Sequence, residues 1–397
     1  MTTREKSGFM RGLYDILSGY ALSCVLLLFL FLLTYLGTLA QVEVGLHQAQ
    51  KLYFESWFLV HKLGPVPLPL PGGQLCMWLL GLNLLFGGFI RIRKTRATAG
   101  IIVVHVGIVM LLLAAVVKLR GSEDGYLRLY ETETDSVFVD YVKNEVAVWD
   151  AGSREGLTEY VIGTEDLRAC TGEDGRTFKE ATLPFELTLS HFLINSDALP
   201  KGPNWIADSP VLDGYALRAR DPELEAAANA AGVVATIRTR GSGEVRQAIL
   251  HTYAIAPWTV EVDGRTWAVD LRRVRYPMPF SIRLDKFYKV DHPGMSMARE
   301  FKSDVVKIEG DVEQPVLIEM NEPLRAGGLV LYQADFGPKP GDPPGPTYSV
   351  FAVKRDPSDQ WPLIATIVIT LGMGWAFSLK LLKHVKSSRK RGSSQPA

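Results

Sequence analysis

Cysteine is scarce in this chain of 397 residues: Cys24, Cys76 and Cys170 are the only three, and none stands in a Cys-x-x-Cys or Cys-x-x-Cys-His spacing. That excludes a disulfide framework, a dithiol redox site and a c-type cytochrome. Net charge is missing too, with 43 Lys plus Arg against 43 Asp plus Glu. Nothing suggests the basic face that nucleic acid requires. The chain also lacks a phosphate-binding glycine loop, a Ser-His-Asp signature and a paired-carboxylate motif, so catalysis by this chain alone is not expected. Cys24 and Cys76 lie in or beside apolar runs, where a thiol serves as a small apolar side chain.

Long apolar runs, by contrast, are plentiful. Four qualify as membrane spans, since a helix needs about 20 residues to cross a core of ~30 Å. They cover roughly 18–39, 70–90, 100–117 and 361–382. The first is too long for a cleaved signal peptide and has no small-residue cleavage site after it, so it is read as a retained helix. Pro69, Pro71, Gly72 and Gly73 shorten the good helical core of the second, which leaves a re-entrant element as its alternative. Glycines at 81, 87, 88 and 107 would let helices of a partner approach closely.

The zero net charge conceals an asymmetry. Arg4, Lys6 and Arg11 precede the first run, Arg91, Arg93, Lys94 and Arg96 fill the turn after the second, and Lys380, Lys383, Lys386, Arg389, Lys390 and Arg391 end the fourth. Those 13 basic residues are accompanied only by Glu5 and Asp15, leaving 30 basic against 41 acidic residues elsewhere. The positive-inside rule then puts residues 1–17, the loop 91–96 and the tail 383–397 in the cytoplasm. Residues 41–69 and 118–360 fall on the outer side.

The outer region 118–360 has the period of β-strands. Tyr126–Tyr130, Glu145–Trp149, Phe185–Leu189, Trp258–Val262 and Thr266–Leu271 alternate apolar with polar residues or nearly so. Asp263-Gly264 makes a two-residue hairpin turn, and Gly241-Ser242-Gly243 separates two further strands at 233–240 and 245–253. One short helix is expected from Asp221 as N-cap, through Pro222 and an alanine-rich run, to Gly232 as C-cap. The proline-rich stretches 65–73 and 338–346 read as stiff, non-regular connectors. The predicted fold is thus a membrane protein: an α-helical bundle of four spans plus a large all-β extracytoplasmic domain with one short helix.

His105 stands inside the third run, where an ionisable side chain is a functional candidate by default. Two roles are open to it. A neutral imidazole is a standard axial ligand for haem iron, or it donates to a carbonyl or hydroxyl on a neighbouring helix and holds the bundle together. No other span contains a histidine, so a second ligand would come from elsewhere. His47 and His61 lie in the outer loop, His191, His251 and His292 in the β region, and His384 in the basic tail; these read as ordinary exposed or hydrogen-bonded residues. Tyr53, Phe54, Trp57 and Phe58, with Trp361, suit either a hydrophobic platform or an interfacial aromatic belt.

Several segments together resemble the ResB family, membrane proteins of the System II cytochrome c maturation pathway. The layout of three spans, a β domain and one final span is similar, as is Leu36-Gly-Thr-Leu39 at the end of the first span. Residues 279–287 followed by 301–305 resemble the family's core strand pair, 321–336 its most recognisable segment, and Asp356-Pro-Ser-Asp-Gln-Trp-Pro362 its return to the membrane.

The resemblance implies haem as a transported, non-covalently held b-type group. It implies two partners besides lipid: a membrane protein with a tryptophan-rich haem-handling segment, and apocytochrome c. It also implies a bacterial cytoplasmic membrane location, and it identifies His105 as the intramembrane axial ligand. Counted from Arg96, His105 lies about 13 Å into the span, in its inner half. The thioether-forming step would rest with the partner. Two other functions remain open on the residues alone: a membrane-anchored β domain that docks a client without touching haem, and an accessory to a transporter.

Overall fold

Four helices are long and apolar enough to cross a membrane by length and composition: Tyr20–Val44, Gly73–Ile90, Arg96–Gly121 and Trp361–Ser387. The computed structural model describes residues 3–153, 158–294, 298–339 and 342–392, with the last helix running to Gly392. The side chains of Arg4, Lys6, Arg389, Lys390 and Arg391 lie outside that description, as do residues 393–397 of the tail and 340–341 of the proline-rich stretch 338–346. The chain forms two units, Met1–Ser122 with Asp356–Ala397, and Glu123–Arg355.

In the helical unit, the first long helix ends where Gly45 takes φ 78° and returns its N–H to the Gln41 carbonyl. A glycine tolerates that conformation without a Cβ clash. Thr95 opens the third long helix, its backbone N–H donating to Thr98 Oγ1 at 2.9 Å. Between Leu84 and Ile90 the second helix widens into π-turns.

Small residues set the spacing of these helices, and neighbours run antiparallel. Gly81 faces Leu112 and Gly88 faces His105, whereas Gly87 lies against the carbonyl of Ser18. Gly100 meets the backbone of Gly372 and Ala376, and Gly107 that of Ala365. A Cβ on Gly100 would come 2.7 Å from the Gly372 carbonyl oxygen, and one on Gly107 2.5 Å from Ile369 Cγ1. Close backbone approach of this kind replaces the hydrophobic effect where the surroundings are themselves apolar. Gly87, Gly88 and Gly107, expected to face a partner's helices, are instead filled by the chain's own. The same alternation of direction collects Arg91, Arg93, Lys94, Arg96 and the Lys380–Lys386 stretch at one end of the bundle.

The proline-rich stretch after residue 64 is not an irregular connector. Val66–Pro71 pairs antiparallel with Phe58–Leu63 through a two-residue turn at Gly64-Pro65, Gly64 supplying φ 60°. The second long helix consequently begins at Gly73, three residues later than its apolar run suggests.

In the β unit, two strands are exceptionally long, Thr134–Asp150 and Arg265–Asp291. They pair with each other along most of their length, with register shifts at Arg273/Arg275 and Pro277/Ile282. Their first-paired ends, Val146, Val148, Trp267, Val269 and Leu271, pack in one core. Its other wall is a four-stranded sheet of Val245–His251, Gly232–Thr239, Phe185–Leu193 and Arg176–Phe178. Their other ends, Phe138, Met278, Phe280, Ile282 and Leu284, enter a second core. There the ten-stranded sheet continues on one side through Ala298–Glu309 and Val312–Glu319, and on the other through Glu123–Tyr130, Tyr348–Arg355 and Leu329–Gly337.

The helix expected over 221–231 is reduced to a single 3-10 turn, Ala226–Ala228. Two asparagines take its backbone. Asn195 Nδ2 donates to the Asp221 carbonyl at 2.6 Å, Asn195 Oδ1 accepts from Ala230 N–H, and Asn229 Oδ1 accepts from Glu223 N–H. Such side-chain bonds offer the backbone an alternative to helical pairing. A one-turn α-helix does occur in this unit, at Thr164–Arg168.

Candidate functional site

His105 projects from the Arg96–Gly121 helix toward the π-turns of the Gly73–Ile90 helix. Its Nδ1 lies 3.1 Å from the Gly88 carbonyl oxygen, and its ring is 6.1 Å from that of Phe89, tilted by 58°. The Gly88 oxygen is available because the helix ends two residues later, so its carbonyl has no intrahelical donor. The π-turns deepen the effect: Arg91 N–H reaches back to Phe86 rather than to a nearer carbonyl.

This contact fixes the chemistry of the ring. A carbonyl accepts only, so Nδ1 is the donor of this bond, and in the neutral ring Nε2 is the nitrogen with the lone pair. Among the described residues Nε2 makes no hydrogen bond. The two roles open to His105 are therefore compatible: Nδ1 joins the helices, and Nε2 has the form in which imidazole binds iron. Gly88 must be glycine for the ring to sit there, since a Cβ would lie 2.6 Å from Nδ1.

The bond from His105 belongs to a set that closes the same end of the bundle. Asn83 Nδ2 donates to the carbonyls of Leu17 at 2.8 Å and Gly19 at 3.0 Å. Arg91 Nη1 donates to Ser18 Oγ at 3.0 Å. The sequence reading missed this role of the 83–91 segment; the Gly87-Gly88 pair beside an asparagine and an arginine was the available signal.

Two other histidines have partners of their own. His61 Nδ1 is 2.7 Å from Tyr53 Oη, and His191 Nδ1 is 3.1 Å from Ser190 Oγ. A cavity of about 500 Å3 in the β unit is lined by Leu212, Tyr215, His251 and Tyr253. Yet His251 spends both ring nitrogens, on the Ser196 carbonyl and the Tyr253 N–H. Among the described residues no three His, Cys, Asp or Glu side chains gather where they could hold a metal ion. The aromatic group of the outer loop also divides: Tyr53 is buried and Phe54 packs its ring on Gly37, while Trp57 and Phe58 are exposed.

The strongest electrostatic feature of the β unit is structural. Arg272, almost fully buried, donates from Nε to Glu145 at 2.9 Å and from Nη1 to Glu159 at 2.9 Å. Burial pushes the Glu145 carboxyl above the usual range, while the bonds from Arg272 hold Glu159 below it. Arg273, also pushed down by burial, donates to the carbonyls of Val142, Ala227 and Asn229. Both arginines stand at the register shift between the two cores, where they tie strands together.

No curated protein matches the chain. Residues 260–343, which include the strand pair 279–287 and 301–305 and the hairpin after Asn321, match the model of the ResB-like family, the family that the motifs resemble.

Proposed function

We propose that the chain is a haem-delivery subunit of a System II cytochrome c maturation complex. It helps carry haem across a bacterial cytoplasmic membrane and presents it to apocytochrome c beside a partner with a tryptophan-rich haem-handling segment. In this reading the four apolar helices are spans, their basic end faces the cytoplasm with both termini, and the β unit faces outward. Haem is cargo here, held and passed on. The supporting observation is His105, a lone histidine in an apolar helix whose Nδ1 is engaged by Gly88 while Nε2 stays free, in a chain whose residues 260–343, within the β unit, match the ResB-like family.

One histidine supplies one axial ligand, which suits a group that must leave. The second ligand is assigned to the partner, because no other helix carries a histidine within its apolar stretch. Gly88 orients the ring and Phe89 shields one side of it.

Replacing His105 by Ala tests the proposal. With the partner coexpressed, the purified complex should lose most of its haem absorbance and c-type cytochrome yield while the chain keeps its abundance, and added imidazole should restore part of both. Full haem content in His105→Ala would eliminate the ligand role and favour a docking module that never touches haem. Loss of abundance without imidazole rescue would reduce His105 to its packing bond.

A further inference from the structure

We propose that the hairpin Phe58–Pro71 lies in the interfacial layer of the membrane, its outward apolar face against lipid; the inference rests on the reading of the four helices as spans. The bond from Gly72 N–H to the Trp57 carbonyl, 2.8 Å, sets the hydrogen-bonding phase of the hairpin. With the register Phe58↔Pro71, Leu59↔Leu70 and His61↔Leu68, the amides of Val66, Leu68 and Leu70 point at the partner strand. Positions 67, 69 and 71 point their nitrogens at the free edge, and all three are proline. That edge therefore has no N–H donor, and a further strand cannot add to it.

Near the base of the hairpin the faces differ as well, although Val66 and Leu68 on the inner face are exposed toward the turn. Leu59 and Leu70 turn inward and join Leu26, Leu33, Tyr53 and Cys76 in the core of the helical unit. The opposite face carries Phe58, Val60, Pro67 and Pro69, with Phe58 73% and Val60 57% exposed, and Trp57 flanks it. Only Lys62, next to the turn, is charged between Ser56 and Gly73. In water such a face would be an aggregation hazard.

Helix length fixes its depth. The Gly73–Ile90 helix has 18 residues, at most about 27 Å at the α-helical rise, which leaves no residue to spare in crossing a hydrocarbon core of ~30 Å. Gly73 must then lie at the core boundary. A Cβ there would meet Phe54 at 2.8 Å, and Phe54 in turn packs on Gly37, so the hairpin base shares the level at which both helices leave the core. Tryptophan and proline-rich apolar surface suit that layer, where Lys62 can reach headgroup phosphate.

The test attaches a fluorescent NBD group to Val60→Cys in the full-length protein carrying Cys24→Ser, labelled in detergent and reconstituted into phosphatidylcholine vesicles. Leu371→Cys on the last helix and Val312→Cys on an exposed β strand serve as controls. The label at 60 should be quenched by lipid bearing a nitroxide near the headgroup and resist aqueous cobalt at least several-fold better than the label at 312. Quenching at 60 by cobalt, as at 312, would overturn the proposal and leave the hairpin in water. Resistance to both quenchers would overturn it in favour of a protein partner. A label at 371 open to aqueous cobalt and untouched by lipid bearing a nitroxide deep in its acyl chain would instead remove the spanning helices, and the hairpin's place with them.

Discussion

The β unit and the helical unit hold their buried polar groups by different means. In the β unit Arg272 spends its guanidinium on two carboxylates and Arg273 on three carbonyls. Among the described side chains, Asn144 Oδ1 and Trp267 Nε1 are the buried polar atoms left without a partner. In the helical unit, packing rests on glycine contacts, and the polar side chain placed deepest in the third helix makes one bond and keeps one lone pair. Closed networks specify a fold, and open valences are where a ligand can arrive. In the reading proposed above, function rests on the open valence of His105 in the helical unit, and the arginine networks of the β unit serve its rigidity.

The contrast can be broken at several points. Arg272→Ala removes the cation from between Glu145 and Glu159 and leaves a buried carboxylate uncompensated, at a cost of about 3–5 kcal/mol. Denaturant unfolding of the full chain in detergent, followed by tryptophan fluorescence, should show the lowered midpoint. A loss under about 1 kcal/mol would mean water already reaches the triad.

Glu159→Gln should cost less, on the order of 1.5 kcal/mol near neutral pH. The sign with pH is set by the lowered value of Glu159 in the folded chain. A carboxylate stabilised by its arginine contributes above the ordinary glutamate value of about 4.3 and loses that contribution as pH falls through the folded value. The gap between wild type and Glu159→Gln should therefore close on acidification below about pH 4. A gap that is constant with pH would assign the effect to packing.

Gly88→Ala should have the smallest effect on folding and the sharpest one on the site. Its Cβ would stand 2.6 Å from His105 Nδ1, so the ring must rotate off the carbonyl, losing one hydrogen bond of about 1 kcal/mol. Abundance should hold while haem occupancy falls and imidazole restores it, a pattern shared with His105→Ala. Unchanged haem would free His105 from any dependence on Gly88.

Much of the architecture was legible where one physical signal dominated. Apolar length announced the four helices, and the alternation in Trp258–Val262, with its Asp263-Gly264 turn at φ 53° and 73°, announced a hairpin that pairs residue by residue. Local pattern failed where distant groups decided. The alanine-rich run after Asp221 has helical propensity, but Asn195, over 20 residues away, takes the Asp221 carbonyl. Three alternate prolines looked like a connector because the phase that turns their nitrogens outward is visible only once Gly72 is seen bonded to Trp57. His105 was legible as a residue, whereas its orientation was not: that depends on where a neighbouring helix stops supplying donors to its own carbonyls.

The two long strands carry a consequence for modularity. The family match begins at residue 260, just before a strand that runs from 265 to 291 and pairs with Thr134–Asp150, well over a hundred residues earlier. A fragment cut at the limits of the match would expose one whole side of that strand, with its ladder of amides and carbonyls unpaired and its apolar residues from both cores uncovered. The matched stretch is therefore not a portable module. It is half of a joint whose other half is made at the start of the β unit, so the β unit must be grafted or truncated as one piece.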